Sequence, residues 1–208
     1  PLVIPESEES KGKFDKEDIL RLTATLPFVI AGGLRSAKEY SPLVKAFFEG
    51  PAGKKLEKNI QIEFVKKMPN IASKPFETII DETSKKIKIL NSTDPKKQVE
   101  VITEAIGEMI GKMIKQSENV LPIGGESVSY WGVLKTYLER NRKVLRQYQG
   151  KDIDTKIMNY FSDTFRTFAN NPQVLSKNDK TFFKTILSEP SIKGTLGDNF
   201  YNILFKIQ

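Results

Sequence analysis

The sequence predicts a mainly α fold, about seven to nine helices in a bundle-like domain with little or no sheet. Two observations carry this expectation. Apolar residues recur at spacings of three and four along most of the chain, the period that lines one face of a helix. Start and stop signals also alternate at helical lengths, with Ser or Asp before the apolar runs and Pro or Gly after them,. No run alternates convincingly with period two, although IQIEFV, from Ile60 to Val65, could be argued as one,.

Taken in order, residues 1–14 mix two prolines with acidic residues and a Gly-Lys pair, and read as a flexible tail or linker before a single helical domain over 15–208,. Asp15, with Asp18 three residues on, opens a helix carrying Ile19, Leu22 and Leu26 that Pro27 ends,. Ser41-Pro42 opens a second, closed at Gly50-Pro51,. In residues 52–68, Leu56, Ile60 and Phe64 stand four apart, with Pro69 as the stop. Phe76, Ile80, Thr83, Ile87 and Leu90 then predict a helix from Ser73,. Asp94 caps and Pro95 begins the next, which stacks Val99, Ile102, Ile106, Met109 or Ile110, and Met113 and runs to about Glu118,. A loop at 119–126 is the waist where a boundary would fall if there were two domains.

Beyond it, YWGVLKTYLERNRKVLRQYQG reads as one helix from Tyr130 stopped by Gly150,. Asp152 caps a helix with Ile153, Ile157, Phe161, Phe165 and Phe168, broken at Asn170-Asn171-Pro172. Ser176 and Asp179 form a capping box for a short helix bearing Phe182, Phe183 and Ile186,. The apolar stretch from Asp198 to Ile207 is expected to dock on the body.

Composition removes whole classes of chemistry. There is no cysteine and no histidine, so disulfides, thiolate metal sites and His-dependent triads are excluded. Catalysis would have to use carboxylates or lysines, and no motif supports it, so the chain reads as non-catalytic with no cofactor and no metal. Asp152-Ile153-Asp154 resembles an oxygen ligand pair, but acids at a helix start are expected from the helix dipole,. Asp81 and Glu82 are adjacent and point apart on a helix. Ser10 to Lys13, a serine-lysine spacing, lies in the tail,. In Gly50-Pro51-Ala52-Gly53-Lys54-Lys55 only two residues separate the glycines, and Lys55 stands where a phosphate loop needs Ser or Thr,. That segment, like Gly32-Gly33 and Gly124-Gly125, reads as a turn. No apolar run approaches the length of a membrane span, and Pro1 to Pro5 lack the basic start of a signal peptide,. An intracellular setting, cytoplasmic or within a viral or nucleoprotein particle, is therefore expected.

The charge is more informative. Against 33 basic residues stand 26 acidic ones, a net charge of +7. The excess begins after residue 50. Such a balance favours an anionic partner. Three clusters carry it: Lys54, Lys55, Lys58, Lys66 and Lys67; then Lys85, Lys86, Lys88, Lys96 and Lys97; then Lys135, Arg140, Arg142, Lys143, Arg146 and Lys151. The third is the most telling, because arginine forks onto phosphates better than lysine. At 100° per residue, Trp131, Leu134, Leu138, Leu145 and Tyr148 gather on one stripe, while Lys135, Glu139, Arg142 and Arg146 face the other way, with Glu139 able to pair with Arg142 or Lys143,. Rings sorted to the core cannot stack on bases, so the expected contact is to the nucleic-acid backbone, DNA or RNA. Gly107 and Gly111 form a small-xxx-small spacing on a charged helix, suited to close helix packing in the core or at a subunit interface,. The expected function is a helical subunit contacting nucleic-acid backbone, without base specificity, inside a larger nucleoprotein assembly with other protein subunits. The alternative is a protein-interaction or scaffold module with an incidental basic surface, docking through Gly107 and Gly111 or through Phe200 to Ile207.

Overall fold

The computed structural model of the protein describes residues 34–35, 37–59, 61–65, 78–81, 86–116, 120–123, 126–148, 150 and 152–206. The tail at 1–14, the helix expected at Asp15, Gly32-Gly33 and Gly124-Gly125, and Lys66, Lys67, Lys85 and Lys151 lie outside those residues. The fold is mainly α, as the apolar spacing predicts, with two small sheets.

Helical residues 37–40 lead to Ser41, whose hydroxyl accepts the Val44 N–H at 3.3 Å and caps α1, Pro42–Glu49. Gly50 ends α1, and Pro51 begins α2, Pro51–Asn59. Gly53 sits where a Cβ would lie 2.3 Å from the Phe47 carbonyl oxygen and 2.4 Å from the Phe48 Cα. The glycine therefore allows α2 to fold back onto α1, and the segment is a helix-to-helix corner rather than a phosphate loop.

The chain then departs from the helical expectation. The predicted helix over 52–68 stops at Asn59, and Gln61–Val65 forms β1. The helix expected from Phe76 to Leu90 is replaced by β2, Thr78–Asp81, and β3, Lys86–Leu90. β3 is the centre of the sheet, parallel to β1 and antiparallel to β2. Its KIKIL alternates, with Ile87 and Ile89 buried beside Ile62 and Phe64 of β1. Over so short a stretch the period-two pattern and the β-branched residues outweigh a three-four spacing assembled across a gap. The expected loop at 119–126 likewise holds an antiparallel hairpin, β4 Val120–Ile123 and β5 Glu126–Ser129. Proline in β4 is tolerated because a two-stranded ribbon has free edges.

Asp94 accepts the Lys96 N–H at 2.9 Å and opens α3, Pro95–Gln116. Gln98, 1 % exposed, accepts from the Ser92 N–H at 2.8 Å and donates to the Leu90 carbonyl, fastening β3 to α3. Ser129 caps α4, Tyr130–Arg140, and Asn141 separates it from α5, Arg142–Leu145. Asp152 caps α6, Ile153–Asn170. A 3-10 turn at Pro172–Val174 leads to α7, Lys177–Leu187, then α8, Pro190–Leu196, which sequence spacing had not marked, and α9, Asp198–Lys206.

The core is organised by α3 against α6, the most extensive helix contact. The two run antiparallel. A Cβ at Gly107 would meet Phe165 Cδ1 at 2.9 Å and Ser162 Cα at 3.1 Å, and one at Gly111 would meet Met158 Sδ at 2.7 Å. Phe161, Phe165 and Phe168 of α6 surround Phe183 of α7, with centroids 4.9, 6.2 and 5.3 Å away. Phe200 of α9 meets Phe47 of α1 edge-on at 5.6 Å. Gly107 and Gly111 thus pack in the core against α6, and α9 buries Phe200 and Leu204 while Tyr201, Ile203 and Phe205 stay partly exposed.

Gly107→Ala is expected to cost about 1–3 kcal/mol from overpacking against ring and backbone, of which up to about 1 kcal/mol returns as helix propensity. Gly111→Ala should cost less, since its main obstacle is a flexible thioether. Urea midpoints of the two variants measure the difference, and equal midpoints would contradict the packing described.

Candidate nucleic-acid interface

The third basic cluster is held by a set of aromatic-to-aspartate bonds. Trp131, Leu134 and Leu138 of α4 face the core, at 7, 1 and 0 % exposure. The Trp131 indole N–H points to Asp154 Oδ1 at 3.5 Å, and Lys115 of α3 pairs with the other oxygen of Asp154 at 2.8 Å while lying 5.6 Å from the indole centroid. Three elements, α3, α4 and α6, meet at this carboxylate.

The single helix expected over Tyr130 to Gly150 is interrupted. At Asn141, φ −102° and ψ 53° leave the helical region, and the side chain donates to the Tyr137 carbonyl at 2.9 Å. A short amide competing for the backbone is the physical cause. The break places Glu139 and Arg142 on separate helices, and among the described residues Glu139 forms no ion pair, so the expected pairing with Arg142 or Lys143 is absent. The separation of rings from cations survives it. Arg140, Arg142, Lys143 and Arg146 are exposed, while Val144, Leu145 and Tyr148 return toward the core.

Tyr148 does the anchoring. Its hydroxyl donates to Asp163 Oδ2 at 2.8 Å, and its ring packs edge-on against Tyr160 at 5.6 Å. Asp163 in turn pairs with Arg166, which reaches Glu104 of α3 at 3.2 Å. Burial, then the neighbouring Asp163 charge and hydrogen bond, push the Tyr148 hydroxyl far above its ordinary titration range. The group therefore stays a neutral donor through the neutral pH range.

This anchoring brings Arg142 and Arg146 opposite Lys156 of α6 across an open groove of about 530 Å³, with Leu145 and Ile153 as apolar lining and Glu139 as the one acid among its described lining residues. Lys156 is a member that sequence spacing missed. Its signal was only that it falls in the first turns of the helix capped by Asp152, facing whatever precedes that cap. Of the residues expected to contribute, Lys135 is half-buried and adds its charge near Asp154 rather than to the groove. Lys54, Lys55 and Lys58 are exposed on α2, which packs on α1 and α8, whereas α5 packs on α4 and α6. Lys86 and Lys88 are half-buried on the sheet face opposite Ile87 and Ile89, and Glu63 is the register partner of Lys88.

The two acids at the start of α6 are accounted for without a metal. Asp152 Oδ1 accepts the Thr155 N–H at 2.7 Å as an N-cap, and Asp154 is bound to Lys115 and Trp131. Among the described residues no group of three or more potential ligand side chains converges, and no helix is long and apolar enough to cross a membrane.

The Lys115 hydrogen bond, aided by the Trp131 N–H and the charges of Lys115 and Lys135, holds the Asp154 carboxyl below its ordinary value against a smaller opposing effect of burial. A depressed carboxyl contributes stability that is present above the unfolded value, about 3.9, and lost as pH falls through the folded one. Trp131, the single tryptophan, reports on it. Its fluorescence should hold steady above about pH 4 and change below, and Asp154→Asn should remove that acid step.

Compared with protein-family models, curated proteins and solved structures, the chain matches none. Function therefore rests on the chemistry of these residues alone.

Proposed function

We propose that this chain is a non-catalytic helical subunit that contacts the backbone of a nucleic acid, DNA or RNA, without reading bases, within a larger nucleoprotein assembly. The observation that supports this most is the convergence of Arg142, Arg146 and Lys156 on one groove, with a single acid among them. Guanidinium groups fork onto phosphate oxygens, and a groove walled by cations of one sign concentrates polyanions. Trp131 and Tyr130 are buried and Tyr148 is turned inward, which leaves no aromatic platform beside these cations among the described residues for base stacking. Backbone contact without sequence readout is what such a surface offers.

The salt dependence tests it. Neutralising three phosphates on a duplex gives a slope of about −2.7 in log affinity against log salt, so affinity should fall roughly 40-fold between 50 and 200 mM salt. Changing Arg142, Arg146 and Lys156 together to Gln should remove most of that slope with helicity unchanged. Tyr148→Phe keeps every cation yet releases the anchor, and should weaken binding roughly fivefold if about 1 kcal/mol of positioning is lost. No binding at low salt, or binding indifferent to salt, would overturn the reading.

A further inference from the structure

A second pocket, of about 180 Å³, opens between α4, α6 and α7; its described lining is largely apolar and holds one acid and no cation. Its lining includes Val133 and Leu134, three aromatic rings from three different helices, Tyr137, Tyr160 and Phe182, and the carboxylate of Asp179. Asp179 Oδ1 accepts the Tyr160 hydroxyl at 2.6 Å and Oδ2 accepts the Ser176 hydroxyl at 2.6 Å. Those bonds orient the carboxylate without neutralising it. Among the described residues no lysine or arginine forms an ion pair with Asp179.

Charge and surface together restrict the occupant. A phosphate would meet the carboxylate at close range, and a neutral apolar molecule would cover it without compensation. A bare ammonium is strongly hydrated and loses that water poorly to an apolar lining. A methylated ammonium carries its charge under an apolar surface, and aromatic faces attract it through their quadrupole. The volume is below that of pockets holding whole drug-sized ligands, and suits a headgroup or a side-chain tip. Burial, together with the Asp179 charge, raises both Tyr137 and Tyr160 hydroxyls above their ordinary range, so both rings stay neutral.

We propose that this pocket binds a methylated ammonium group, with Tyr137, Tyr160 and Phe182 as its aromatic walls and Asp179 as its counter-charge. The group can come from a choline-type headgroup or from a methylated lysine side chain. This site is independent of the basic groove.

Titration followed by NMR at Tyr137, Tyr160, Asn178 and Phe182 tests it, with choline, N-acetyl-trimethyl-lysine, N-acetyl-lysine and 3,3-dimethylbutanol, the uncharged isostere of choline, as probes. Choline or trimethyl-lysine should bind about tenfold or more tighter than either the isostere or unmethylated lysine, and their ratio assigns the source. Phe182→Leu keeps an apolar wall and removes a ring face, and Asp179→Asn keeps a side-chain oxygen that can accept the Tyr160 hydroxyl and removes the charge; each should cut affinity roughly tenfold with the fold intact. Equal affinity for choline and its isostere would overturn the proposal, as would the absence of shifts at these residues up to about 50 mM probe, weaker than any useful site.

Discussion

Two helices approach only as closely as the side chains between them permit, and on α3 that limit is set by Gly107 and Gly111. With hydrogen where a Cβ would be, the backbone of α3 comes down onto Ser162, Phe165, Met158 and Phe161. Ile102, Ile106, Ile110 and Ile114 are then all but inaccessible to water. The ion pair from Arg166 to Glu104 ties the partly exposed margin of the same contact; at that exposure it adds little stability and mainly fixes register. Once α6 is seated, Phe161, Phe165 and Phe168 are presented to Phe183, and α7 follows.

The polar ends of the rings reveal how the rest is attached. Trp131 of α4 reaches Asp154, Tyr148 beyond α5 reaches Asp163, and Tyr160 reaches Asp179 of α7. Each places an apolar ring in the core and satisfies its one donor on a carboxylate near the surface, the arrangement that lets tyrosine and tryptophan be buried cheaply. Three aspartates, spaced along α6 and at the head of α7, thereby fix α4, α5 and α7 around one helix. Nothing in the residue spacing alone pairs those aspartates with those rings, because each pair is brought together by tertiary contact.

What was legible in the sequence follows the same division. Signals confined to a few neighbouring residues were readable: Ser41 before Pro42, Asp94 before Pro95, Asp152 before Thr155, and Ser176 with Asp179 all cap the helices they announce. The inward turn of Trp131, Leu134 and Leu138 was readable too, since it depends only on helical period. The strands were not. A five-residue strand offers two or three inward positions, too few to separate period two from period 3.6, and the pairing that decides between them joins Gln61–Val65 to Lys86–Leu90 across the intervening chain. The turn at Gly50 to Lys55 was legible from the failed phosphate-loop spacing, but the reason for Gly53, a close approach to Phe47 and Phe48, is invisible without the fold. Asn141 was read through as helix because one residue of modest propensity rarely ends a helix by itself; here its side chain takes the Tyr137 carbonyl and the chain turns.

That turn decides the character of the basic surface. Had the helix continued from Tyr130 to Gly150, its cations would have formed a straight outer stripe, and a polyanion would have met a convex rod. By breaking at Asn141 and returning through Tyr148, the chain folds Arg142 and Arg146 toward Lys156 and makes a concave site instead. Concavity matters because low-dielectric walls concentrate field lines between like charges, whereas cations spread over an open helix are screened within about 8 Å at physiological salt. The neighbouring pocket at Asp179 follows the same logic with the sign reversed. Tyr148 and Tyr160 meet edge-on, and each donates its hydroxyl to a different carboxylate, Asp163 and Asp179. The groove draws on α4, α5 and α6 and the pocket on α4, α6 and α7, so two shared helices carry both, and rings turned inward to their aspartates leave the cations and the Asp179 carboxylate on separate faces.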